Sequence, residues 1–279
     1  MTGGRRSERF AAPLKPTTLL GYRSLVRVGE KTVNPLDAAA RMTREALGEG
    51  EICGTCGSRV AGLCRPLDPA ALDDVLAEAE HITVAARDYL FQEGDRAGHV
   101  FTLVNGTAKL TRLMADGKEQ VLGFRFLGDV VGYTAAGTYP FAAQLLTPAT
   151  VCRLDRRRLD SLLRQYPALE RRFLDLCVQE LAATQEQLVT VGRRTAEGRV
   201  AAFLLSLAES GVRRQRLGPV LDMPMTRADI ADFLGLTLET VSRSFTAFRR
   251  RGWIREPSHG RVELLQRHQL TELTEGGPA

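Results

Sequence analysis

Residues 226–252, TRADIADFLGLTLETVSRSFTAFRRRG, are compatible with few local structures. Thr226 stands three residues before Asp229, a capping-box-like start for a helix. Ile230, Phe233 and Leu234 give that helix an apolar face, and Gly235 supplies the left-handed residue that ends it. Thr237 then caps a second helix, on which Val241, Phe245 and Phe248 recur at core-facing spacing. Glu239, Ser242 and Arg243 fall on the other side, near the helix N-terminus. The stretch therefore predicts two short helices joined by a tight turn. The first turns of such a second helix suit the major groove, where arginine donates two bonds to guanine and a carboxylate accepts from cytosine N4. Arg249, Arg250 and Arg251 follow at the far end, where phosphates are met. A solvated charged face is the plainer reading of E-x-x-S-R taken alone. The cap, the glycine turn and the arginine cluster together favour a DNA-reading helix.

The charge distribution agrees. The chain of 279 residues carries a formal charge of +5. Residues 193–267 hold fourteen Arg and no Lys against eight Asp and Glu, which favours a polyanionic partner for that segment. No run of about 18 apolar residues is present to span a membrane. Arg5 and Arg6 are not followed by an apolar stretch, so no secretory signal is expected and a cytoplasmic location is. No Gly-rich phosphate loop, Ser/His/Asp set or H-E-x-x-H pattern occurs, and His81, His99, His259 and His268 are scattered, so an enzyme is not expected. Residues 1–50 read as an N-terminal extension, with one candidate helix at 36–47.

Residues 53–64, CGTCGSRVAGLC, place Cys53, Cys56 and Cys64 at spacing C-x2-C-x7-C with glycines between them. Three clustered thiols in a reducing compartment point to a bound metal, and iron–sulfur clusters and zinc both take four sulfur ligands. Of the remaining cysteines, Cys152 reads as a strand residue in ATVCRL, and Cys177 as a small buried residue on a long helix.

From about 65 to 160 the sequence breaks into short strand-like runs, with Asn105-Gly106 and Asp116-Gly117 as hairpin signals. That spacing predicts an antiparallel roll or barrel. Residues 168–192 then predict a long helix. On it Leu174, Cys177, Leu181, Thr184, Leu188 and Val191 form a heptad seam, read either as packing within the domain or as a parallel dimer contact. Another amphipathic helix is expected at 195–210, and a hairpin turning at Ser258–Gly260 after the reading helix.

Roll, long helix and winged helix-turn-helix, in that order, resemble the cyclic-AMP-receptor/FNR (CRP/FNR) family of bacterial transcription regulators. The resemblance covers roughly 50–270 and is carried by FQEGD at 91–95, GFRFLGDVVG at 123–132, AEGRVAAFL at 196–204 and MTRADIADFLGLTLETVSR at 225–243. It implies an α+β fold: an N-terminal antiparallel β-roll, a cyclic-nucleotide-binding-like jelly roll, then a long dimerisation helix and a C-terminal winged helix-turn-helix. The expected domains are 51–165 for cysteine cluster and roll, 166–192 for the dimerisation helix, 193–267 for the DNA-binding domain and 268–279 for a tail.

Within the family the chain looks like the FNR-type oxygen sensors, which hold an oxygen-labile [4Fe–4S] cluster on three clustered cysteines and one distant cysteine. That likeness implies Cys53, Cys56, Cys64 and Cys152 as ligands. It also implies that Glu239, Ser242 and Arg243 read a TTGAT-like half-site in an inverted repeat, with Thr237, Thr240, Arg249 and Arg250 completing the DNA-contacting set. A homodimer and RNA polymerase are the implied partners. The cluster would favour association along the 174–191 seam, with repulsion between Glu180 and Glu186 of paired helices opposing it once the cluster is lost. Cyclic-AMP receptors bind the cyclic phosphate through an Arg-Ser/Thr-Ala element. Here the corresponding stretch is PFAAQLL at 140–146, with neither arginine nor hydroxyl, so no cyclic nucleotide is expected. Zinc at the cysteines, or nitric oxide as the signal, are the alternatives.

Overall fold

A computed structural model of the chain describes residues 58–213 and 219–275. Cys53, Cys56, the candidate helix at 36–47 and the rest of the N-terminal extension lie outside those residues. The described part opens with a short turn of helix, α1 (Ser58–Ala61), and α2 (Pro69–Glu78). Pro69 occupies the first turn of α2 and the Asp68 side chain accepts from the Ala71 amide, a proline and a cap acting together at one helix start.

The roll follows. Its strands are β1 (Ala79–Val84), β2 (Tyr89–Phe91), β3 (His99–Leu103), β4 (Ala108–Leu113), β5 (Glu119–Arg125), β6 (Val130–Val131), β7 (Ala142–Leu145) and β8 (Ala149–Asp155). They form two four-stranded sheets, ordered β1-β8-β3-β6 and β2-β7-β4-β5, and the described pairs are antiparallel. Ile82, Leu90, Phe101, Leu103, Ala143, Leu145 and Val151 fill the space between the sheets. The Asp116-Gly117 turn makes the expected hairpin between β4 and β5. Asn105-Gly106 does not make one: β3 and β4 belong to different sheets, and the turn is a corner where the chain changes sheet. Gly106 has φ +80°, and a Cβ there would come within 2.5 Å of Ala149 Cβ. The Asn105 side chain accepts from the Thr150 amide at 2.7 Å. The turn has the positive φ its glycine predicts, but it links two sheets where a hairpin was expected.

Helix α3 (Arg156–Gln165), capped by the Asp155 side chain, leads into the 27-residue α4 (Pro167–Arg193). Leu159, Leu162 and Leu163 of α3, Leu169 and Phe173 of α4, and Leu63, Leu72 and Val75 form a second core outside the roll. Beyond Phe173, α4 keeps Leu176 and Val191 half-buried and leaves other apolar side chains exposed: Leu174 57%, Val178 65%, Leu181 59% and Leu188 71%.

The C-terminal domain contains α5 (Ala196–Arg213), β9 (Val220–Asp222), α6 (Arg227–Leu234), α7 (Leu238–Arg250), β10 (Ile254–Ser258), β11 (Arg261–Leu264) and α8 (Arg267–Thr274). Its three strands run in the order β10-β11-β9. The 268–279 segment, expected as a tail, starts inside α8, and Leu270 and Leu273 are buried in this domain's core. Val121 and Phe124 of β5 belong to the same core.

Among the described residues no helix is long and apolar enough to cross a membrane.

Candidate functional site

The first helix of the reading pair is set by its caps. The Thr226 hydroxyl accepts from the Asp229 amide, and the Asp229 carboxylate accepts from the Thr226 amide at 2.9 Å, which completes the capping box. Gly235 ends α6 at φ 61°, ψ 43°, and its amide bonds back to Ala231 and Asp232. Arg199 of α5 donates to the terminal carbonyls of Leu234 at 3.1 Å and Gly235 at 3.4 Å. The turn is thereby fixed from both sides. Thr237 then caps α7, its hydroxyl accepting from the Thr240 amide at 3.2 Å.

Val241, Phe245 and Phe248 of α7 are buried, as the spacing required. The opposite face is free for a ligand: Glu239, Ser242, Arg243, Arg249 and Arg250 are exposed, as is the capping Thr237, while Thr240 is half-buried. Hydrogen bonds from its own backbone amide and from the Thr237 side chain, with Arg243 nearby, hold the Glu239 carboxyl below its ordinary value. A carboxylate in that state offers only acceptors. Arg243 lies 3.5 Å from the Thr240 hydroxyl, and its exposed guanidinium is suited to bidentate donation.

The arginine cluster is less uniform than its sequence. Glu256 of β10 pairs with Arg227 and, at 3.1 Å, with Arg249, while Arg227 stacks over the Phe245 ring at 3.3 Å. Arg251 pairs with Glu197 at 2.8 Å and lies over Trp253. Arg249 thus has an internal competitor for any phosphate, whereas Arg250 projects from the exposed end of α7. Glu256 was not found by sequence reasoning, because its partners lie 29 and 7 residues away on other elements.

The second candidate site is at the thiols. Cys152 on β8 stands opposite His81 of β1 and Thr102 of β3. Cys64 and Cys152, 88 positions apart in sequence by their numbers, both lie half-buried against the apolar cluster of α2, α3 and the start of α4. The soft sulfur donors and apolar surroundings fit an iron–sulfur cluster or zinc. Cys53 and Cys56 lie outside the described residues, within which no group of three His, Cys, Asp or Glu side chains is gathered as a metal site.

The seam residues Leu174, Cys177, Leu181, Thr184 and Leu188 of α4 are all exposed. Cys177 is therefore not the buried core residue that its apolar neighbours suggested, because among the described residues nothing covers that face of α4. Val191 is half-buried and lies near Gly235, toward the DNA-binding domain. Glu180 pairs with Arg125 of β5, and Glu186 with Arg194 at 2.6 Å. The expected repulsion between these acids on paired helices loses its basis, since each has a cation of its own chain beside it.

Residues 81–166 match the cyclic nucleotide-binding domain family, and residues 198–273 the Crp-like helix-turn-helix domain family. The nitrogen fixation regulation protein FixK of Bradyrhizobium diazoefficiens is 34% identical over 224 residues, covering 80% of this chain and 94% of FixK. The chain belongs to the CRP/FNR family of transcription regulators. As a CRP/FNR regulator it is also similar to the transcriptional activatory protein AadR of Rhodopseudomonas palustris, 37% identical over 72% of this chain and 85% of AadR. The transcriptional activator protein anr of Pseudomonas aeruginosa is 32% identical over 80% and 93%. Among solved structures, FixK2 from Bradyrhizobium japonicum superposes with a TM-score of 0.64 at 28% identity, covering 72% of this chain and 98% of FixK2. CRP/FNR regulators bind DNA, and the helix pair α6–α7 lies within the segment that matches the Crp-like helix-turn-helix domain.

Proposed function

We propose that this CRP/FNR regulator holds a [4Fe–4S] cluster on Cys53, Cys56, Cys64 and Cys152 and binds a TTGAT-like inverted repeat as a dimer when oxygen is absent. The observation that carries the reading is the position of Cys64 and Cys152: both lie against the apolar cluster that contains the first turns of α4. The likeness to relatives named FnrA, FnrL and anr supports it. An iron–sulfur cluster bound there supplies an oxygen-labile redox centre. The chain's own residues do the rest. Leu174, Val178, Leu181 and Leu188 present an apolar stripe that a second copy covers. Two α7 helices then meet half-sites about one turn of DNA apart. Glu239, Ser242 and Arg243 read base edges, while Thr237, Thr240, Arg249 and Arg250 meet the backbone.

Ligand occupancy shifts the monomer–dimer balance only by the difference in its binding to the two forms. A coupling of about 1–3 kcal/mol, roughly 5- to 150-fold in affinity, is enough for a switch. The test is an absorbance spectrum of protein purified without oxygen, followed by a pulse of air. A broad visible band that bleaches in air is expected. A colourless protein with about one zinc per chain would overturn the cluster and leave a structural metal in its place.

A further inference from the structure

The thiol segment is fastened to α4 by one side chain. Arg172, in the second turn of that helix, donates from Nε to the Gly62 carbonyl at 3.1 Å and from Nη2 to the Ala61 carbonyl. Those carbonyls lie two and three residues before Cys64. The guanidinium is half-buried, and that burial, with neighbouring Arg65, lowers its pKa from the ordinary value. The same backbone is fixed on its other sides. Leu63 is buried against the cluster containing Leu169 and Phe173. Gly128 approaches so closely that a Cβ there would lie 3.2 Å from the Gly62 nitrogen. Ala61 to Leu63 thus have little room to move against the roll or against α4. Arg172 is also two residues before Leu174, where the exposed seam begins.

We propose that Arg172 is the positioning residue that transmits the state of the cysteine site to the dimerisation helix. The proposal rests on the iron–sulfur reading above. A displacement of Cys64 pulls the Ala61 and Gly62 carbonyls, and the planar fork of Arg172 passes that displacement to the turn of α4 that sets the direction of the seam. A single donor would hold the loop less firmly, because two bonds from one rigid group fix orientation as well as distance.

The experiment compares full-length wild type with Arg172→Gln. Three quantities are measured on each: iron and acid-labile sulfide per chain, the monomer–dimer dissociation constant with and without the cluster by sedimentation, and the melting temperature without the cluster. Wild type is expected to show a ratio of the two dissociation constants within the roughly 5- to 150-fold range of ordinary coupling. Arg172→Gln is expected to load the same iron and sulfide while that ratio falls toward one. An unchanged ratio in a fully loaded variant overturns the proposal and leaves the cluster reading intact. A lower melting temperature with the ratio retained means a purely structural role and also overturns it. If wild type takes up no iron and sulfide, the cluster reading itself fails and the proposal falls with it. Should Arg172→Gln not fold, Arg172→Lys, which keeps the charge without the fork, is read against the same ratio. Full coupling in Arg172→Lys counts against the fork.

Discussion

At the residue scale, α7 exposes Glu239, Ser242 and Arg243 near its N-terminus and Arg249 and Arg250 at its far end. Arg243 is exposed and lightly held, so Arg243→Ala leaves the fold intact. We expect it to cost about 1–3 kcal/mol on the matched site and much less on a site altered at the guanine it reads. Fluorescence titrations with both duplexes check this; equal losses on both would mean a phosphate contact instead. Glu256 acts in the opposite sense. Its carboxylate lies 3.1 Å from Arg249, so Glu256→Gln releases a cation to the phosphates. Non-specific binding is expected to tighten, and the slope of log affinity against log salt to steepen by about one. This pairing shows where sequence reading stops. Cap residues, core spacing and the exposed triad of α7 follow from local rules. That one arginine of three is neutralised by a strand beyond the helix follows only from the folded hairpin.

At the scale of elements, the helix pair depends on its turn and on its seat. Gly235 sits at φ 61° with its nearest side-chain neighbours 3.7 Å from a notional Cβ, so backbone conformation rather than crowding sets the cost of replacing it. Gly235→Ala is expected to destabilise by about 1–2 kcal/mol in chemical denaturation, and Gly235→Asn by less. The seat of α6 is the β4–β5 hairpin. Lys109 pairs with Asp229 at 2.9 Å, and Asp232 accepts from the Val121 amide at 2.6 Å while its carbonyl accepts from Gln120. Burial alone would raise the Asp229 carboxyl, but hydrogen bonds from Thr226 and Lys109 outweigh it and hold the group below its usual value. A depressed carboxyl stabilises the folded form above its unfolded value, near pH 4, and the contribution is lost as pH falls through the folded value. Acidification below about pH 4 should therefore loosen α6 from the hairpin, as amide exchange reads it. Lys109→Ala should loosen it already at neutral pH and flatten the acid dependence. None of these contacts was foreseeable, because residues 111 to 120 positions apart meet through the arrangement of domains and not through any local pattern.

At the scale of the whole molecule, the order of roll, long helix and winged helix pair was legible because each segment carries its own periodicity. Boundaries were legible where turns decide them, as at Asp116-Gly117, and misjudged where packing decides them. Helix α8 was read as a tail because its two buried leucines, Leu270 and Leu273, are too few to mark a face without the core they enter. The seam of α4 was legible as a heptad, but its Val191 end turns toward the DNA-binding domain. Leu181, 59% exposed in the single chain, lies in the middle of what remains. Leu181→Glu should leave a folded chain that sediments as a monomer at concentrations where wild type is a dimer, with affinity for the inverted repeat falling toward that for a half-site. A variant still dimeric would move the interface off α4.

One consequence reaches beyond regulation. Val121 and Phe124 are strand residues of the roll, yet they sit in the core of the helix-turn-helix domain, with Phe124 edge-on to Phe203 and Phe233 at 6.0 and 5.4 Å. The DNA-reading end of this chain is therefore not a portable cassette. Excised at residue 194 and grafted onto another sensor, it would carry an apolar socket shaped for a foreign phenylalanine. The new host would inherit the specificity of α7 only by also supplying the plug.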